Sequence, residues 1–299
     1  MKHTLRETMI KEELVAFLVS RKGQNLSDRT IDFYKDMLFE FADFCVTREV
    51  VNVQQLDAGI IREFLIKLQE THNPGGIHCY YRCIKAFCNW YELETDAALP
   101  NPIRKIRAPK IDVTPIKGIS ITDVNALIVT CDKSFLGIRD KALMRSMLDT
   151  GARAAELCNL KISDVNLVNG YVFIKAGKGG KSRTVFLTET SRTDIVRYLR
   201  RRTSRELHEP LWVSCTDTAL TPSGLSQMLR RRAAMAQLSE VPSPHDFRRA
   251  FALESLRRGC DLVRLMYLMG HTSTQVLQRY LAIQTDDLKE AYENMGSRW

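Results

Sequence analysis

Along the first third of the chain, apolar residues recur three and four apart rather than in alternation. "TMIKEELVAFLVS" (residues 8–20) and "SDRTIDFYKDMLFEFADFCVT" (residues 27–47) both follow this spacing, which predicts two amphipathic helices, the second capped by Ser27. Two more helices are expected over 57–71 and 77–93, with "NPGG" (Asn73–Gly76) as the break between them. "LPNPIRKIRAPK" (Leu99–Lys110) interrupts the pattern with three prolines and four basic residues, a composition suited to an extended basic linker. Helical spacing resumes at 122–131 and 137–150. "GYVFIKAGKGGKSRTVFL" (Gly170–Leu187) then alternates on both sides of a glycine-rich turn, the mark of a β-hairpin, and the pattern is mainly helical again to about residue 293. The expected architecture is mainly α with a small β-sheet. It comprises an all-helical N-terminal domain (1–95), a linker (96–115) and a mixed α+β domain (116–299).

A length of 299 residues agrees with about two domains, and 44% hydrophobic residues suffice for packed cores. The net charge of +9 is unevenly placed. Residues 1–95 hold 12 Lys and Arg against 14 Asp and Glu, residues 96–115 hold 4 against 2, and residues 116–299 hold 28 against 19. The positive field therefore belongs to the C-terminal two-thirds and favours an anionic partner such as nucleic acid. No run of 18 apolar residues exists, so no membrane span is expected. "MKHTLRETMIKEE" lacks the apolar stretch of a signal peptide, and a cytoplasmic location is the expectation. In that setting the eight cysteines read as reduced, mostly buried thiols. Cys79, Cys83 and Cys88 lie near His72 and His78, but spacings of four and five without a C-x-x-C pair do not make a zinc module. No metal and no cofactor are expected.

Four stretches carry candidate chemistry. In "PHDFRRAF" (Pro244–Phe251), His245 and Arg248 stand three apart behind a helix-starting proline, and Arg249 follows at once. Neither side chain neutralises the other, so the pairing makes sense where both face an anion. "DTGARAAEL" (Asp149–Leu157) sets Arg153 three residues before Glu156. That is an ordinary surface ion pair, or an arginine oriented by a carboxylate toward a phosphate. "AGKGGKSR" offers Lys178 and Lys181 at the hairpin turn, as solvated loop lysines or as groups able to reach a backbone or leaving group; its spacing is not that of a phosphate-binding P-loop. "LMGHTSTQVLQRYLAI" (Leu268–Ile283) places a Gly270–His271 turn before a helix bearing Tyr280. Arg200–Arg205 and Arg230–Arg232 are basic runs that could follow a phosphate backbone or be solvated helix faces.

Arg153, a hairpin lysine, His245-x-x-Arg248, Gly270–His271 and Tyr280 occur in one chain order. In this the sequence resembles the tyrosine recombinase (phage integrase) family, including its Xer-type members. "LSDRTIDFY" (Leu26–Tyr34) resembles the family's helical, SAM-like core-binding domain. "RDKALMRSMLDTGARAAELCNLKISDV" (Arg139–Val165) is similar to its first arginine box, "GKGGKSRTVFL" to its lysine hairpin, and "HDFRRAFA" with "LMGHTSTQVLQRY" to its second box. Phe247, Arg249, Met269 and "RYLAI" depart from the residues usual at those places, although no chemical group is lost.

The resemblance implies a site-specific recombinase or integrase acting on double-stranded DNA through a 3′-phosphotyrosyl intermediate. Tyr280 would be the nucleophile, and Arg153 and Arg248 would clamp the scissile phosphate. His271 would bond the same phosphate, and His245 would take the tyrosine proton or assist charge stabilisation. Lys178, or its competitor Lys181, would protonate the leaving 5′-oxygen, and Glu156 would hold Arg153. Lys181, Arg183, Arg230, Arg231, Arg249, Arg104 and Lys105 are the expected DNA contacts. The resemblance further implies a tetramer on two DNA sites, joined through the C-terminal helix (286–299), with accessory DNA-bending proteins possible. Residues 1–7 are too short for the arm-type domain of some integrases. Two alternatives stay open at this point: a type IB topoisomerase, and a non-catalytic DNA-binding regulator.

Overall fold

The computed structural model describes residues 9–94, 101–110, 118–175 and 182–270. The chain divides into two compact units, Met1–Thr114 and Pro115–Trp299.

The first unit is built on four helices, α1 (Met9–Gly23), α2 (Asp28–Thr47), α3 (Ala58–Lys67) and α4 (Pro74–Glu94). The helical apolar spacing delivers one side chain per turn to a shared core, where Phe17, Leu38, Phe41, Ile61 and Ile84 are buried. Phe17 meets Phe87 and Trp90 edge-on, at ring-centroid distances of 5.8 and 5.5 Å. Ser27 caps α2 by accepting from the Thr30 amide. "NPGG" is a helix start rather than a break. Pro74 opens α4, where its missing N–H costs nothing, and the Asn73 side chain accepts from the Gly76 amide at 2.9 Å. Cys45, Cys83 and Cys88 are buried, which pushes each thiol up to about 12. All eight cysteines are free thiols.

The basic stretch expected to be an extended linker differs from that expectation over residues 101–106. Pro102–Lys105 form a 3-10 turn, Ile103 is 3% exposed in the helical core, and the Tyr81 hydroxyl donates to the Ile106 carbonyl at 3.1 Å. One well-placed apolar side chain outweighs the local proline signal, so this stretch is part of the helical unit.

The second unit contains α5 (Ile121–Val129), α6 (Phe135–Thr150), α7 (Ala154–Cys158), β1 (Val165–Asn166), β2 (Tyr171–Ile174), β3 (Arg183–Phe186), α8 (Glu189–Leu199), α9 (Pro222–Met235), α10 (Pro244–Arg257) and α11 (Leu262–Met269). The strands form an antiparallel sheet in chain order, with Val172 opposite Val185. Val172, Ile174 and Val185 point into the core, whereas Tyr171, Phe173 and Phe186 stay exposed, as period-two alternation requires. β1 is too short to carry a pattern of its own.

Helix α6 packs against both α8 and α10, and it carries a buried ion cluster. Arg139 pairs with Oδ1 of Asp140 at 2.6 Å, and Arg232 of α9 donates through Nε and Nη2 to Oδ2 at 2.9 and 2.7 Å. The sequence groups Arg232 with Arg230 and Arg231 in a run that could follow a phosphate backbone or be a solvated helix face. Arg232 lies instead on the buried side of α9 with Met228, Leu229 and Ala233, while Arg230 and Arg231 are exposed. Arg202, from the other basic run, is likewise turned inward onto Glu209 at 2.9 Å.

Candidate active site

The site begins where α6 ends. Gly151 closes that helix in the left-handed region (φ 55°), and a Cβ there would lie 2.2 Å from the Phe251 ring. Two residues on, Arg153 caps α7. The third helical residue, Glu156, reaches back to the cap: Oε2 accepts the Arg153 amide at 2.8 Å and Oε1 accepts Nη1 at 2.9 Å.

Glu156 has a second partner that its sequence neighbourhood does not announce. Arg183, at the start of β3, donates Nη1 to Oε1 at 3.0 Å and Nη2 to Oε2 at 2.7 Å. Burial by itself would raise the Glu156 carboxyl, but the bonds from Arg183 and Arg153 outweigh it and hold the group at about 2. Arg183 was expected among the DNA contacts. Its side chain is only 9% exposed and its fork is turned onto the half-buried Glu156 carboxylate, because a bidentate pair there satisfies both charges.

Helix α11 ends at Gly270 (φ 63°), and its last carbonyls would otherwise lack helical partners. Three arginines from three elements supply them. Arg183 Nε donates to the Leu268 carbonyl at 2.8 Å, Arg248 Nη2 to Met269 at 2.6 Å, and Arg153 Nη2 to Gly270 at 3.3 Å. Arg248 also donates Nη1 to the Gly151 carbonyl at 2.6 Å, so it joins the C-terminal ends of α6 and α11. Cations at helix C-termini are favoured by the dipole as well as by the orphan acceptors. Arg248 is 3% exposed and forms the floor of the site, whereas the Arg153 side chain is 48% exposed at its rim.

His245 sits in the first turn of α10, where Asp246 accepts from the Ser243 amide at 2.8 Å. Burial lowers its pKa below the ordinary 6.5, and the charges of Arg249, Arg248 and Arg153 push the same way against Asp246. The imidazole is therefore neutral at pH 7 and able to accept a proton. In a histidine NMR titration of the DNA-free protein, His245 is expected to titrate below 6.5, and Arg249→Gln should move it upward. A midpoint at or above 6.5 would sink this reading. Between the folded value and 6.5 the unfolded chain holds more protons, so His245 costs stability as pH falls through that window. Arg249 itself pairs with Asp246 at 3.2 Å and is partly exposed.

Lys178, Lys181, His271 and Tyr280 lie outside the described residues. Of the expected contacts in the first unit, Arg104 is exposed and pairs with Glu92 at 2.9 Å. Lys105 borders an open groove with Arg107 and Lys110 of the same basic stretch and with Arg62, a cation that no sequence motif singles out. Among the described residues no His, Cys, Asp and Glu cluster could hold a metal ion, and no helix is long and apolar enough to cross a membrane.

Comparison with known proteins gives a consistent picture. Residues 119–286 match the profile of the Phage integrase family. The chain is 31% identical to tyrosine recombinase XerA of Pyrococcus furiosus, over 96% of this chain and 95% of that one. It is 28% identical to tyrosine recombinase XerD of Listeria monocytogenes, over 96% of this chain and 98% of that one. Among solved structures, the Tn1549 transposon integrase in complex with transposon right end DNA superposes with a TM-score of 0.78 at 15% identity, covering 95% of this chain and 99% of that chain.

Proposed function

The chain belongs to the phage integrase family of tyrosine recombinases, and from that premise we propose how its residues cut and rejoin DNA. It is a tyrosine site-specific recombinase. In the proposed reaction the Tyr280 oxygen attacks the scissile phosphorus, and the bond to the 5′-oxygen breaks. A 3′-phosphotyrosyl link and a free 5′-hydroxyl result. His245, neutral at pH 7, takes the phenolic proton or assists charge stabilisation, and Lys178 or Lys181 protonates the leaving oxygen. Arg153 and Arg248, with a hydrogen bond from His271, stabilise the charge that builds on the non-bridging oxygens. Attack by the 5′-hydroxyl of another strand reverses the step, so the bond energy is conserved.

The observation that carries this reading is the convergence of Arg153 and Arg248 on the adjacent carbonyls of Gly270 and Met269, directly before His271 in the chain. Residues far apart in sequence are thereby brought to one turn. Arg104, Lys105, Lys181, Arg230, Arg231 and Arg249 are proposed to touch the DNA. We divide the labour between a DNA-gripping helical domain and a catalytic domain. Assembly is proposed to be a tetramer on two sites, joined through residues 286–299, in the cytoplasm and with room for accessory DNA-bending proteins.

The test is covalent trapping on a nicked duplex taken from the DNA flanking the protein's own gene. An adduct that survives SDS, with the nucleotide mapped to the peptide containing Tyr280, is the expected result. Tight binding across candidate duplexes with no adduct on any of them would favour a regulatory protein. Cleavage and relaxation without any need for paired sites would favour topoisomerase chemistry.

A further inference from the structure

The Arg183–Glu156 pair lies beneath the turn that leads into His271, yet the proposed chemistry assigns Arg183 no part. We infer that Arg183 is a positioning residue for the cleavage step: it fastens the last turn of α11 to the carboxylate that also orients Arg153. The inference rests on the recombinase reading above.

Two independent observations support it. The first is the bonding pattern. A single guanidinium spans Glu156, through Nη1 and Nη2, and the Leu268 carbonyl, through Nε, so it ties α7, β3 and α11 at one point. Because Glu156 simultaneously holds the Arg153 amide and Nη1, any shift of Arg183 is passed to both the exposed arginine and the α11 turn. The second is the packing at Gly270. A Cβ at that residue would sit 2.8 Å from Arg183 Nη1 and 3.1 Å from its Cζ. The guanidinium therefore lies against the backbone of the residue preceding His271, and the absence of a side chain at 270 is what lets it approach. A solvated DNA contact needs neither feature. The bidentate geometry also favours arginine over lysine, which brings one ammonium and no planar fork.

The experiment compares wild type, Arg183→Gln and Arg183→Lys in the full-length protein. Single-turnover adduct formation at saturating nicked duplex is measured beside DNA affinity, thermal unfolding and hydrogen exchange of the α11 peptide. For Arg183→Gln the adduct rate constant should fall by about 10²-fold, the scale of a misplaced reacting group, while affinity is unchanged. Exchange should accelerate in residues 262–270 and not in α6 or α8. Arg183→Lys should recover part of the rate, since its ammonium still pairs with Glu156. Weakened affinity with an unchanged saturated rate would overturn the inference and make Arg183 a phosphate contact. So would loosening of the whole domain in step with a lowered unfolding temperature, which would mark a purely structural residue. If wild type forms no adduct, the recombinase reading fails first. The exchange pattern then still decides whether Arg183 holds the turn.

Discussion

Tyr280→Phe is expected to bind duplex DNA with the parent's affinity and to form no covalent adduct. The substitution removes one oxygen and keeps the ring. What disappears is the proposed nucleophile. A phenol with a pKa of about 10 is almost wholly protonated at pH 7 and reacts only when its proton is taken and the phosphate is made electrophilic. In the proposed site those two functions reside elsewhere, in the neutral imidazole of His245 and the guanidinium groups of Arg153 and Arg248, and the substitution leaves them intact. Binding should survive for the same reason, since affinity for DNA comes mainly from cations meeting phosphates. Electrophoresis with and without SDS separates the two quantities. Should an adduct persist at the wild-type rate, the nucleophile is another of the nine tyrosines, and the proposed site is wrong at its centre.

The elements were legible because burial imposes period. Helical spacing in residues 8–20 and 27–47 and alternation in the hairpin each report a face turned toward a core, and α1, α2, β2 and β3 lie where those patterns put them. The misreadings came from residues whose surroundings are tertiary. Arg183 and Arg232 look like surface cations in sequence, yet each is turned inward onto a carboxylate, the half-buried Glu156 and the buried Asp140, 27 and 92 residues away in the chain. Proline content marks 99–110 as linker, and over 101–106 the burial of Ile103 and the Tyr81 bond to Ile106 show a folded turn instead. The i, i+3 spacing of Arg153 and Glu156 shows their pairing directly. No spacing rule reveals that a second arginine completes it, or that three arginines meet on successive carbonyls of one helix end.

Arg248→Lys should lower the rate of adduct formation by about 10²–10³-fold, as expected when one pre-placed donor to a developing oxyanion is lost, while DNA affinity changes little. Arg248 differs from Arg153 in being almost fully buried and held by two backbone carbonyls, Gly151 and Met269. A rigid fork satisfies both carbonyls from one plane, which sets the guanidinium against the site before any substrate arrives. Lysine keeps the charge, so the folded protein is not left with a buried neutral gap. Its tetrahedral ammonium is shorter in reach, however, and cannot bridge the two helix ends in the same geometry. One carbonyl left without its donor would cost about 1–3 kcal/mol of folding free energy, so a modest loss of thermal stability should accompany the kinetic defect. The two effects separate in a single-turnover assay run well below the unfolding transition: the rate defect must persist there. A variant that regains the parent's rate once it is fully folded would show that Arg248 joins α6 to α11 and takes no part in the chemistry.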